Sequence, residues 1–154
     1  ANRFTVFLGT PELLRGYTSG SYSRNECSVS QDDPNSQSGC SDIDQLVGTS
    51  VAVFNAELRF PILNSKIGVA PKMLPPIEGA IFYDVGMACT QSSTLAWSRP
   101  PGASPVLVRT PLMSIGGSLR TNVFGIMILR FDYSKPVSRP GVRAYWTISL
   151  GPTF

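Results

Sequence analysis

The stretch Val51-Ala-Val-Phe-Asn-Ala-Glu-Leu-Arg-Phe60 alternates apolar and polar side chains, and it decides the fold class. Successive side chains of a β-strand point to opposite faces of the sheet. One face of this strand therefore carries only apolar groups, whereas the other carries Asn55, Glu57 and Arg59. We expect the strand to stop at Pro61.

Similar alternation recurs downstream and predicts an all-β protein with about five antiparallel strands. Polar loops at 9–48 and 90–110 are long, the link at 61–76 is moderate, and the link at 123–125 is very short. Long and short connections then fall on alternate ends, as in outer-membrane barrels. Fourteen glycines and thirteen prolines indicate many turns and argue against helices. The four further strands are expected at about 77–89, 113–123, 127–133 and 143–154.

Two classes of protein fit the composition. Charged residues make up 15% of the chain, well below the roughly 25% typical of soluble domains, yet no run of about 18 apolar residues predicts a membrane helix. A compact soluble β domain and a transmembrane β-barrel both remain open. The apolar faces carry aromatic residues toward the strand ends, as the interface girdles of barrels do. These residues are Phe60, Tyr83, Tyr133, Trp146 and Phe154.

The sequence offers little for catalysis or for cofactor binding. It contains no histidine, which removes most nucleophile triads and most zinc sites. Neither a G-x-S-x-G elbow nor a Walker-type phosphate loop is present. The net charge of +3 comes from scattered basic residues, so nucleic-acid binding is not indicated. We expect no enzyme activity, no metal and no cofactor.

Cys27 and Cys40 bracket a polar stretch. They could close a disulfide loop in an oxidising compartment, or they could be two exposed thiols. We favour the disulfide because exposed thiols are reactive.

Five segments, in order along the chain, resemble motifs of the BamA-type outer-membrane assembly factors, a superfamily that includes two-partner secretion transporters and bacterial surface antigens. Leu14-Arg15-Gly16-Tyr17 resembles the (V/L)RG(F/Y) tetrapeptide of the sixth extracellular loop, which folds back into the barrel lumen. Four further segments resemble the strands that follow that loop: 47–49 with 56–61, Phe82-Tyr83-Asp84-Val85-Gly86, 114–120 and 132–136. In addition to these five segments, the end of the chain resembles the C-terminal barrel signal, carried here by Trp146, Ile148, Leu150 and Phe154.

The resemblance implies that residues 1–154 are the C-terminal part of one transmembrane β-barrel in the cell outer membrane. Residues 1–8 would end one strand, 9–48 would form the long lumen-inserted loop, and 49–154 would form the last five strands. The family's early strands and periplasmic POTRA repeats have no counterpart in the sequence. Because lipid does not tolerate an open sheet edge, we expect the rest of the barrel or other chains to complete the sheet.

A structural latch follows from the resemblance. A guanidinium carried into the lumen needs a carboxylate partner, and the family pattern assigns Glu57 and Asp84 to Arg15. Gly16 would let the loop turn sharply, and Tyr17 would pack against the wall. An ordinary exposed arginine in a turn is the competing interpretation.

The function implied by the resemblance is insertion or export of proteins at the outer membrane. Its partners would be outer-membrane lipid and unfolded outer-membrane or secreted proteins. A barrel that only anchors or exports a fused surface domain, or a structural outer-membrane subunit, is the alternative. A soluble all-β binding domain is a third hypothesis.

Overall fold

A computed structural model describes residues 4–29, 40–63, 75–123 and 125–152. Nine strands occur in these residues, and five of them form one antiparallel sheet, in which their order across the sheet is their order along the chain. The all-β class and the five antiparallel strands are confirmed. The sheet strands are β3 (Ser50–Leu63), β4 (Ile77–Cys89), β7 (Leu112–Val123), β8 (Met127–Pro136) and β9 (Tyr145–Pro152).

The remaining elements are short and lie in the long connections. Strands β1 (Val6–Phe7) and β2 (Val47–Gly48) pair antiparallel, and β5 (Thr94–Leu95) pairs with β6 (Val108–Arg109) in parallel. Residues 9–48 also contain a 3₁₀ turn (Ser19–Ser21) and two helices, α1 (Arg24–Val29) and α2 (Ser41–Asp44). Among the described residues, none of the helices has the length and apolar character needed to cross a membrane.

Three sequence predictions need correction. β3 continues through Pro61 to Leu63, because β3 lies at the edge of the described sheet, where proline is tolerated; the register shifts between Pro61 and Leu63. The strand expected at 1–8 is reduced to β1 within 4–8, and it pairs with β2 rather than with the central sheet. Helices form in 9–48 although the chain is rich in glycine and proline, because neither α1 nor α2 contains either residue.

The connections segregate to opposite ends of the sheet. At one end, here called the loop end, β3 begins after residue 49, residues 90–111 connect β4 to β7, and residues 137–144 connect β8 to β9. At the opposite end β3 ends at Leu63 and β4 begins at Ile77, and β7 ends at Val123 and β8 begins at Met127. Gly125 has φ +73°, a conformation that favours glycine and suits the tight turn between β7 and β8. The predicted alternation of long and short connections is therefore present.

The two faces of the sheet have opposite chemistry. The face called outer here carries large apolar side chains that remain exposed, including Phe54 at 63%, Leu58 at 69%, Ile148 at 65% and Leu150 at 66%. A soluble sandwich would bury such a face against a second layer. The opposite, inner face carries the charged groups and is covered by part of residues 9–48.

Candidate functional site

Arg15 lies buried against the inner face, with 5% of its surface exposed. Its Nε donates a hydrogen bond to Asp84 Oδ2 at 2.6 Å, and its Nη2 donates to Asp84 Oδ1 at 2.7 Å. Its Nη1 donates to Glu57 Oε2 at 2.8 Å. The guanidinium thus holds one carboxylate in a bidentate pair and reaches a second, a geometry that lysine cannot reproduce.

The strand register explains why both carboxylates meet one guanidinium. Asn55 of β3 is opposite Asp84 of β4, and Glu57 is opposite Phe82, so both acids project from the inner face of neighbouring strands. The Arg15 guanidinium carbon lies 3.5 Å from the centre of the Phe82 ring. Asn55 Nδ2 donates to Asp84 Oδ1 at 2.9 Å.

Glu57 connects Arg15 of the loop to two arginines of the five-stranded sheet, which is called the wall below. Arg59 Nε lies 2.6 Å from Glu57 Oε1, and Arg120 Nη2 lies 2.9 Å from the same oxygen. Arg59 is 58% exposed, so its contribution is screened by solvent. Asp84 is fully buried. The ion pair between Arg15 and Asp84 therefore contributes more to stability than the exposed pair between Arg59 and Glu57.

The charge of Arg15 is maintained in this setting. Burial of the guanidinium disfavours the charged form, but hydrogen bonds to Asp84 and Glu57 outweigh it and raise the pKa of Arg15. The Arg15 guanidinium is therefore charged at physiological pH.

Gly16 and Tyr17 continue the contact with the wall. Gly16 has φ +86°, and an added Cβ would lie 3.4 Å from Ser134 Oγ on β8, so a side chain there would be strained. Tyr17 is fully buried; its hydroxyl donates to the Met113 carbonyl at 2.7 Å and accepts from Ser138 N at 3.2 Å. Burial raises the pKa of Tyr17.

Apolar packing supports the polar contacts. The buried cluster between the loop and the wall leaves little room at Gly86, where an added Cβ would lie 3.1 Å from Leu8 and 3.3 Å from Leu14. Gly116 similarly makes space for the Phe82 ring, 2.6 Å from the position of such a Cβ. The cluster consists of Leu8, Leu14, Tyr17, Leu46, Ala88 and Leu112.

The wall also holds the loop by its backbone. Arg130 Nη2 donates to the Pro11 carbonyl at 3.2 Å, and Asn55 Nδ2 donates to the Leu13 carbonyl at 3.1 Å. Arg130 Nε lies 2.8 Å from Asp132 Oδ2, but the N–H is not directed at the oxygen. The backbone is thus held to the inner face at Pro11 and Leu13, before the chain reaches Arg15.

Arg139 is a site residue that the sequence did not reveal. It lies in the connection between β8 and β9, is 8% exposed, and packs its guanidinium carbon 3.7 Å from the centre of the Tyr22 ring. Its Nη2 donates to both carboxylate oxygens of Glu26 at 2.9 Å, and its Nη1 donates to Ser21 Oγ at 2.9 Å. Arg139 therefore ties the last connection to α1. Only the tertiary fold brings these residues together, so no local sequence pattern predicts the contact between Arg139 and Glu26.

Cys27 of α1 and Cys40, next to α2, are joined in a disulfide bond, whereas Cys89 is not disulfide-bonded. The bond closes the loop that the sequence analysis proposed. It lies at the loop end, near the contact between Glu26 and Arg139.

The C-terminal signal residues are partly within the described structure. Trp146, Ile148 and Leu150 project from the outer face of β9 and are more than half exposed. The Trp146 ring lies 4.9 Å from that of Tyr133 on β8. Phe154 lies outside the described residues.

In the part of the chain that the structure describes, no group of three or more acidic, cysteine or histidine side chains is placed to hold a metal ion. The charged groups of the site are engaged in ion pairs, and they fix a loop to a wall.

An antiparallel sheet with an exposed apolar face and a charged inner face covered by a pinned loop has the two-faced pattern of a membrane β-barrel wall. The family comparison gives the same class: the model of the Omp85 superfamily domain matches residues 4–154, and the chain belongs to this superfamily. Omp85 domains are outer-membrane proteins that act in protein assembly or translocation. Comparisons with curated proteins and with solved structures found no match.

Proposed function

We propose that this chain is part of a BamA-type barrel that inserts or exports proteins at the outer membrane without catalytic chemistry. The observation that carries the proposal is the latch, defined as Arg15 with Asp84 and Glu57. A passive pore needs an open lumen, whereas here the loop is fixed to the inner face by charged and apolar contacts.

The latch acts as a positioning device in this proposal. It orders the C-terminal half of the wall because a single loop side chain bridges β3 and β4, and the Tyr17 hydroxyl extends the contact to β7. The partners would be lipid, unfolded outer-membrane or secreted proteins, and the strands needed beside β3 and β9. Those two strands are the edges of the described sheet, and membrane-embedded edges require pairing.

The function can be tested by depletion in the native host. Expression of the protein is shut off, and the amounts of folded, heat-modifiable barrel proteins in the outer membrane and of exported surface proteins are followed. The proposal predicts that one of these classes declines before growth stops. Wild type and Arg24→Ala should restore it, whereas Arg15→Ala should restore it poorly.

Unchanged levels of both classes after depletion would contradict an assembly or translocation role. A loss confined to a domain fused to the same polypeptide would instead favour the anchoring alternative.

A further inference from the structure

The margin of the sheet at the loop end, called the rim below, carries an apolar cleft on the outer face. The cleft has a volume of about 410 Å³ and lies between the outer face of β3 and β4 and the segment Leu95–Trp97. Its floor is formed by Ala52, Phe54, Val85 and Met87, and Pro111 closes one side. Trp97 is 87% exposed and Leu95 is 58% exposed, so large apolar surfaces at the rim have no cover within the described residues.

The segment that overhangs the cleft is held in place. Thr94 N donates to the Leu107 carbonyl at 2.8 Å, and Ala96 N donates to the Arg109 carbonyl at 3.0 Å. Arg109 is 2% exposed, and its Nη1 donates to the Asp44 carbonyl at 2.9 Å. The β5–β6 pair is therefore fastened to the inner loop, and it presents Leu95 and Trp97 to the outer side.

The opposite side of the rim carries polar and charged side chains. Trp97 and Pro111 also line a second cavity of about 970 Å³, which contains Gln45, Arg99 and Asp42. Arg99 Nη2 donates to Gln45 Oε1 at 3.0 Å, whereas its buried Nε has no hydrogen-bond partner in the described part of the chain. Tryptophan at a boundary between apolar and polar surroundings is typical of membrane interfaces.

We infer that the cleft binds one acyl chain of a membrane lipid, with Trp97 forming its outer wall and the lipid headgroup lying toward Arg99. The occupant follows from continuity: the floor residues of the cleft lie on the same outer face as Leu58 and Ile148, which are exposed outside the cleft. An extended chain from the adjoining leaflet can enter the cleft without leaving the membrane. The inference rests on the membrane placement of the sheet and does not depend on the assembly function.

The two tryptophans of the chain provide the test. The full-length protein, with every tryptophan other than Trp97 replaced by phenylalanine (Trp146→Phe within these residues), is reconstituted into phosphatidylcholine vesicles whose acyl chains are brominated near the headgroup. We expect a marked loss of Trp97 fluorescence. Ala52→Leu, which fills the floor of the cleft, should restore much of the emission. Ala56→Leu is the matched control, because Ala56 lies on the same face of β3 but outside the cleft.

The outcomes separate the cleft from the membrane placement. In the reciprocal background (Trp97→Phe), bromolipid should quench Trp146, which reports whether the outer face contacts lipid. If Trp146 is quenched but Trp97 responds only to aqueous iodide, the inference is overturned while the membrane placement stands. Equal quenching of Trp97 in Ala52→Leu and Ala56→Leu would mean that the lipid is not held in the cleft, and this would also overturn the inference.

Discussion

Replacing Arg15 by alanine removes the centre of the latch. The substitution leaves Asp84 fully buried with Asn55 Nδ2 as its remaining side-chain donor, at Oδ1. Asp84 Oδ2 loses the 2.6 Å bond from Arg15 Nε. Glu57 suffers less because it keeps Arg59 and Arg120.

The expected cost follows from the uncompensated charge. Removing one partner of a buried ion pair costs about 3–5 kcal/mol. Loss of the contact between the guanidinium and the Phe82 ring adds to it, whereas the retained Asn55 bond reduces it. We therefore expect Arg15→Ala to lower the free energy of unfolding by about 3–5 kcal/mol, and Arg15→Lys by less, since lysine keeps the charge but not the bidentate geometry.

The assay is urea unfolding of the full-length protein in lipid vesicles, supported by the temperature at which the folded gel band disappears. Arg24→Ala is the matched control because Arg24 is an exposed residue in the same loop, and surface substitutions of this kind change stability by about 0.5 kcal/mol or less. A double-mutant cycle with Asp84→Asn should give a coupling energy of about 1–3 kcal/mol.

Two results would refute this reasoning. Equal effects of Arg15→Ala and Arg24→Ala would show that the latch does not stabilise the wall. Strict additivity of Arg15→Ala and Asp84→Asn would show that the two side chains do not interact in the folded protein.

Four further predictions concern the surroundings of the latch. Gly116→Ala should lower the free energy of unfolding in the same urea titration by about 1–3 kcal/mol, because the added Cβ would collide with the Tyr133 carbonyl and the Phe82 ring. Gly117→Ala is the control and should be nearly neutral, because its added Cβ would make only an ordinary contact at 3.6 Å. Tyr17→Phe should cost about 1–2 kcal/mol, because Ser138 N loses its acceptor and the Met113 carbonyl keeps only the bond from Val137 N. A neutral result would mean that the hydroxyl is dispensable. Replacing Cys27 and Cys40 together by serine should cost at most about 3 kcal/mol and should expose α1 to proteolysis, whereas Cys89→Ser should do neither. Burial opposes the charge of Glu26, but hydrogen bonds from Ser23 and Arg139 outweigh it and lower the pKa of Glu26 below the usual 4.5. The resulting stabilisation is present above pH 4.5 and is lost as the pH falls through the lower pKa of the folded state. Glu26→Gln should therefore flatten the dependence of the unfolding free energy on pH in that acidic range.

The strands and their faces were predictable because the period of two is a local property. Glu57 and Asp84 fall on the polar side of their strands, and the register of β3 and β4 then brings them together. Pro61 was misread because a proline is excluded only from central strands, and the sequence does not say which strand lies at an edge.

The structure of the connections could not be predicted from the sequence. β5 and β6 have two residues each, too few to show any periodicity. Arg139 meets Glu26 across 113 positions of sequence, and Trp97 overhangs a cleft whose floor lies in other strands. These sites depend on how the loops fold over the rim, which local patterns do not encode.

The most direct test of the central claim is fractionation of the full-length protein from its native cells into outer membrane, periplasm and cytoplasm, with a heat-modifiability gel on each fraction. We expect recovery in the outer membrane as a folded band that shifts on boiling. Recovery as a soluble protein with no shift would contradict it, because the exposed apolar face of β3, β4, β7, β8 and β9 would then have to be covered by something other than lipid.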